Sequence, residues 1–147
     1  MEDIKAVARV CLVDRFVESL PGGYDTIIGE GACKISEGQK QKIAIARAIL
    51  KRPKILILDE ALSSMDSASE EEIMRNIKRE YGGFTILSVS HRLSTVMACD
   101  LAYYVKGPGE LVIDTPQGLL GRDEGFRNLF AAQGRQKDDE PFGAHAA

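Results

Sequence analysis

Apolar residues return at helical spacing from Asp3 to Leu20: Ile4, Val7, Ala8, Cys11, Leu12, Phe16, Val17 and Leu20. That pattern predicts one amphipathic helix, stopped by Pro21-Gly22-Gly23. Residues 24–34 read as loop, with Gly29 and Gly31 as punctuation. A second helix is predicted over 36–51. Ser36 and Gln39 stand at capping-box spacing, each able to satisfy a backbone N–H of the first turn. Arg47, Lys51 and Arg52 cluster late, where the helix dipole favours cations, and Pro53 follows. The short apolar run Lys54-Ile55-Leu56-Ile57-Leu58 closes on Asp59-Glu60 and predicts a strand buried on both faces. Ser67 and Glu70 give another capping box, opening a helix to Tyr81 that Gly82-Gly83 ends. Residues 84–90 predict a second buried strand, 93–98 a short helix and 101–105 a third strand. Gly107-Pro108-Gly109 turns the chain so that 111–113 pairs back as a hairpin. Thr115-Pro116 starts a helix, and Phe126, Leu129 and Phe130 mark a last amphipathic one. Beyond Gln133 the chain is polar and Ala/Gly-rich, and we expect a disordered tail over 133–147.

Strands alternating with helices predict an α/β fold with a mostly parallel sheet and flanking helices. The 147 residues are 44% hydrophobic and 28% charged, the mix of an ordered globular protein rather than a disordered chain. A net charge of -3 leaves no general nucleic-acid footprint. Cys11, Cys33 and Cys99 are scattered and odd in number, which fits a reducing compartment better than a disulfide framework. No uninterrupted apolar stretch approaches the roughly 18 residues that span a bilayer, and Met1-Glu2-Asp3 lacks the basic-then-apolar layout of a signal peptide, so none is expected in these residues.

Three segments carry candidate chemistry. An apolar strand that ends in two acids sets carboxylates on a rigid edge. Asp59 can hold Mg²⁺, usually through water, and Glu60 can orient or deprotonate an attacking water. Ile35-Ser36-Glu37-Gly38-Gln39 puts a hydroxyl and a glycine at a helix N-terminus, where N–H groups and the dipole suit an anion. Glu37 works against that, because its charge repels a phosphate. In Ser88-Val89-Ser90-His91-Arg92, His91 follows a strand end and is suited to hydrogen-bond a phosphate.

Gly23 to Thr26, Gly29-Glu30, Ile35 to Gln39, Gln41 to Ala48, Asp59-Glu60, Asp66 and Ser90 to Thr95 occur in one order. From about Asp3 to about Phe130 the chain thereby resembles the nucleotide-binding domain of ATP-binding cassette (ABC) transporters of the exporter branch. The resemblance implies a partial P-loop-NTPase fold: residues 1–52 as part of a helical subdomain and 53–132 as part of the ATPase core. It implies that Ser36, Gly38 and Gln39 contact ATP held on an opposite subunit, and that Asp66, in the loop from Ser63, links the two sites. Asp59 matches the Mg²⁺-side acid, Glu60 the catalytic carboxylate and His91 the histidine that touches the γ-phosphate. Glu30 lies in the loop that faces transmembrane coupling helices. The implied partners are a second nucleotide-binding domain, head to tail, and the transmembrane domain of an exporter. The implied location is cytoplasmic, peripheral to the membrane through that domain.

The sequence departs from the family pattern in places. Ile35 and Glu37 replace the usual Leu and Gly of the signature. Ala61-Leu62-Ser63-Ser64-Met65-Asp66 stands where Ala-Thr-Ser-Ala-Leu-Asp is usual, and Cys99 stands where Ala is common. No Gly-x-x-x-x-Gly-Lys-Ser/Thr occurs in the chain, so the cradle for ATP phosphates must come from elsewhere. We therefore expect negligible ATP hydrolysis by this polypeptide alone. The alternatives are a non-enzymatic partner or regulatory fragment that lends its signature face to another ABC ATPase or occupies its dimer surface, a DNA-maintenance ATPase, and a fragment with no independent role. The second should show a long heptad coiled coil and a basic surface, and neither is present.

Overall fold

The computed structural model describes residues 1–29 and 31–138. Glu30 and residues 139–147 of the expected tail lie outside the described residues. The chain forms two compact units, Met1–Ser90 and the residues from His91 on.

In the first unit the order is α1 (Glu2–Val10), α2 (Asp14–Val17), a 3-10 turn (Gly23–Asp25), α3 (Glu37–Leu50), β1 (Ile55–Asp59), α4 (Ser67–Glu80) and β2 (Thr85–Val89). The helix predicted over 3–20 is thus broken. Val10, Cys11, Leu12 and Val13 are four apolar residues in a row, and all are buried. A continuous helix would turn one of them outward. The chain breaks instead, with Leu12 at φ 56 and the Val13 N–H donating to the Ala8 carbonyl at 2.7 Å, and all four reach the core. That core joins Val7 and Ala8 of α1, Ile45 and Ile49 of α3, Leu56 and Leu58 of β1, Leu62 and Met65, and Ile73, Met74 and Ile77 of α4. Residues on both sides of position 52 share it. The Asn76 side-chain amide adds a bond to the Val10 carbonyl at 3.3 Å, and Arg15 pairs with Glu72 at 2.5 Å.

β1 and β2 pair in parallel, Ile55 opposite Thr85 through Asp59 opposite Val89. Burial on both faces, expected for β1, is not what forms. Leu56 and Leu58 are buried, whereas Ile55, Ile57, Leu87 and Val89 are 47–64% exposed. The helices of this unit pack against one face only.

The second unit holds α5 (Leu93–Met97), β3 (Ala102–Gly107), β4 (Glu110–Asp114), α6 (Pro116–Arg122) and α7 (Glu124–Asp138). β3 and β4 form the expected antiparallel hairpin, with Gly109 at φ 80 in its turn. Leu119, Phe126 and Phe130 are buried, and Phe126 meets Tyr104 and Phe130 edge-on at 5.3 Å. Leu129, expected on the same stripe, is exposed: Phe126 and Phe130 are one turn apart and already fill it. α7 runs to Asp138, so residues 133–138 of the expected disordered tail are helical. The sheets are therefore one parallel and one antiparallel pair among the described residues.

Candidate functional site

Ser36 caps α3 as its spacing predicts. The Ser36 hydroxyl accepts the Gln39 N–H at 3.2 Å, and the Gln39 side-chain oxygen accepts the Ser36 N–H at 2.8 Å. The Ser36 hydroxyl proton stays available to donate. Glu37 is exposed and pairs with Lys40 at 3.0 Å, so its charge is partly answered one turn along. Exposed pairs of this kind are worth little, and the carboxylate stays at the exposed first turn of α3.

Asp59 ends β1, and Glu60 follows it in the turn. Strand alternation puts Asp59 on the same face as Ile55 and Ile57, and all three are exposed. Glu60 has φ 46, in the left-handed region that non-glycine residues avoid. Its N–H donates to the Val89 carbonyl at 3.1 Å, and its carbonyl accepts the Ser63 N–H at 3.0 Å. The strained turn ends the strand at Asp59 and starts the loop that follows.

The loop after Glu60 folds back onto α3. Gln41 accepts the Ser64 N–H and donates to the Ser64 hydroxyl, each at 3.2 Å. A Cβ on Gly38 would lie 2.9 Å from the Ser64 carbonyl, so the close approach requires glycine there. Gln41 opens the Gln41–Ala48 segment and Ser64 lies in the loop from Ser63 to Asp66, but motif spacing does not show that the two meet. The available signal is that Gln41 heads the apolar stripe continued by Ile45 and Ile49, a polar residue where packing would favour a hydrophobic one.

Asp66, not Ser67, caps α4. Its carboxylate accepts the Ser69 N–H at 2.8 Å, and Ser67 is the first helical residue. The anion suits the dipole end better than a hydroxyl. The backbone and then the side-chain hydrogen bond from Ser69 hold the Asp66 carboxyl below its ordinary range, and Lys42 adds to this. Glu70 follows inside the first turn and is buried.

The first unit thus brings together Ser36, Gly38, Gln39 and the loop leading to Asp66, and it places Asp59 and Glu60 at the end of β1. His91 is exposed and begins the second unit. Among the described residues no group of three or more His, Cys, Asp or Glu could hold a metal ion. Asp59 fits an ion bound mainly through substrate phosphates and water, which needs only one or two protein carboxylates. No helix among the described residues is long and apolar enough to cross a membrane.

Residues 5–63 match the family model described as ABC transporter. The chain is 46% identical over 133 residues to a heterocyst differentiation ATP-binding protein of Nostoc sp., covering 90% of the chain and 20% of that protein. It is 39% identical over 132 residues to mouse ATP-binding cassette sub-family B member 5, covering 90% of the chain and 10% of that protein. A solved bacterial Atm1-family ABC exporter with ATP bound superposes with a TM-score of 0.81 at 35% identity, over 90% of the chain and 23% of its own. The chain therefore spans a quarter or less of the length of these relatives. In sequence and fold it matches part of an ABC exporter ATP-binding domain.

Proposed function

We propose that the chain is the C-terminal part of an ATP-hydrolysing module that couples ATP use to transmembrane export. The observation that carries this reading is that one acid ends β1 and a second follows it, while the loop after them is bound to Gln41 near the capped start of α3. Asp59 would be the residue that holds Mg²⁺. The ion, when bound with ATP, supplies charge neutralisation at the phosphates. Glu60, carried on its strained turn, polarises the attacking water. His91 hydrogen-bonds the terminal phosphate. Ser36, Gly38 and Gln39 face ATP held by a second nucleotide-binding domain in a head-to-tail dimer, with Asp66 in the linking loop. The phosphate-binding loop is supplied by another segment or subunit, and the transmembrane domain of an exporter holds the assembly at the cytoplasmic side of a membrane.

Phosphoryl transfer depends on positioning more than on covalent chemistry by the protein. The purified chain alone is therefore expected to release phosphate from ATP no faster than its Glu60→Gln variant. Fused behind a relative's segment that carries the phosphate-binding loop, it is expected to turn over ATP, with Glu60→Gln lowering the rate about a hundredfold or more. Turnover by the lone chain that Glu60→Gln abolishes would overturn the first expectation. Equal rates for the fused protein and its Glu60→Gln variant would overturn the role of Glu60.

A further inference from the structure

We propose that Gln41 is a positioning residue. Its side-chain amide clasps the loop 61–65 to the first turns of α3, so that the turn bearing Ser36, Gly38 and Gln39 and the loop leaving Glu60 move as one body.

The contact joins residues 23 positions apart and uses both ends of one amide. The Gln41 carbonyl oxygen accepts the Ser64 backbone N–H, and its NH₂ donates to the Ser64 hydroxyl, each at 3.2 Å. A second observation is independent of those bonds. Gly38, one turn earlier on α3, leaves room for the Ser64 carbonyl at a distance that any Cβ would reduce to 2.9 Å. Ser64 is therefore gripped at its N–H and hydroxyl by Gln41 and admitted at its carbonyl by Gly38. Met65, the next residue, is buried and fixes the far side of the loop. The loop's near side returns to the catalytic candidate, because the Ser63 N–H donates to the Glu60 carbonyl at 3.0 Å. The next residue of α3, Lys42, reaches the Ser69 hydroxyl at 3.4 Å, beside the Asp66 cap. A displacement of the first turn of α3 is thus passed to Ser64, and from there to the backbone that holds Glu60. The consequence for hydrolysis rests on the ATPase reading above; the mechanical link does not.

Amide hydrogen exchange on the full 147-residue chain, read by NMR without nucleotide, tests the link. Gln41→Met keeps the length and helix propensity of the side chain and removes its hydrogen bonds. The Ser64 amide is expected to exchange about tenfold faster in Gln41→Met. Ile45 and Ile49 amides, in the body of α3, are expected to stay within about a factor of two. Gln41→Glu retains an acceptor for the Ser64 N–H and lets the Ser64 hydroxyl donate instead, so it restores protection. Ser64→Ala, which removes only the hydroxyl bond, falls between. Removing the α3 cap with Ser36→Ala speeds exchange at Gln39 in both backgrounds, but at Ser64 only where Gln41 is present. Equal Ser64 exchange in the parent chain and Gln41→Met would overturn the proposal. So would a Ser36→Ala effect on Ser64 that persists in Gln41→Met. Such a failure leaves the hydrolysis reading standing, and a fused protein that fails to hydrolyse ATP leaves the clasp standing.

Discussion

Leu58 and Ile57 are neighbours on one strand, isomeric in their side chains, and they meet opposite fates. Leu58 is 3% exposed and Ile57 is 64% exposed. Leu58 and Leu56 look onto α1, α3 and α4. Ile57 shares its face with Ile55, Asp59 and, across the parallel register, Leu87 and Val89. Hydrophobicity alone did not decide which of the two is buried; the layer of helices packed on one side did. The face that ends at the candidate metal-binding acid is thus apolar and open, while the face behind it is dry. Removing atoms on either side measures how different the two environments are.

The largest effect is expected on the covered side. Leu58→Ala removes packed atoms from the cluster and should cost about 3 kcal/mol in urea unfolding followed by far-UV circular dichroism. A loss below about 1 kcal/mol would mean that the cluster collapses around the gap and that the two faces are less distinct than their exposures indicate.

Cys11 tests the dryness of the same side. It is fully buried in the cluster, and desolvation pushes its thiol up to about 12, from 9.0. The protonated form is therefore favoured in the folded chain. Its contribution to stability is fully present below about 9 and is lost as pH rises toward 12. In that window stability should fall by up to about 1.4 kcal/mol per pH unit more in the parent chain than in Cys11→Ala. Identical slopes in the two proteins would show that water reaches this thiol.

Much of this molecule was legible in its residues. The Ser36–Gln39 capping box, the Ile55–Asp59 strand and the β3–β4 hairpin all formed, because each rests on signals a few residues apart. What was not legible depends on contacts distant in sequence. An open face on β1 cannot be told from a covered one when both read Ile-Leu-Ile-Leu. The break after α1 answers a core built from α3, β1 and α4. Ser64 meets Gln41 only because the loop after β1 folds back. At the candidate site the Ser67–Glu70 spacing predicts the start of α4 but not its cap, which Asp66 makes one residue earlier because a carboxylate suits the helix N-terminus better than a hydroxyl.

That cap gives a smaller effect. The loop leaving β1 passes Leu62 and Met65 into the covered side before Asp66 opens α4. Asp66→Ala should cost about 1 kcal/mol, and Asp66→Asn much less, because an amide oxygen also accepts the Ser69 N–H. With the carboxyl held below its ordinary range, the stabilisation is present above about pH 4 and is lost as pH falls through the lowered value. Parent and Asp66→Asn unfolding midpoints should therefore differ less at acid pH than at pH 7. A difference that grows on acidification would reverse the sign and remove Asp66 as the cap.

The smallest effect, and the sharpest contrast with Leu58, is expected at Ile57. Ile57→Thr keeps the branched shape that suits a strand and replaces a methyl-bearing arm that already faces water. In the lone chain it should change stability by no more than about 0.5 kcal/mol, since little packed area is lost. It should also raise the concentration at which the chain stays monomeric in sedimentation, because an exposed apolar patch shrinks. The same substitution in the fused protein, where a further segment can pack on the open face, should instead cost about 1 kcal/mol or more, the order expected for a methyl-sized loss and a hydroxyl placed in a packed interior. A cost in the lone chain equal to that of Leu58→Ala would show that Ile57 is already covered. A cost that stays negligible in the fused protein would show that the open face remains open when the phosphate-binding segment is present.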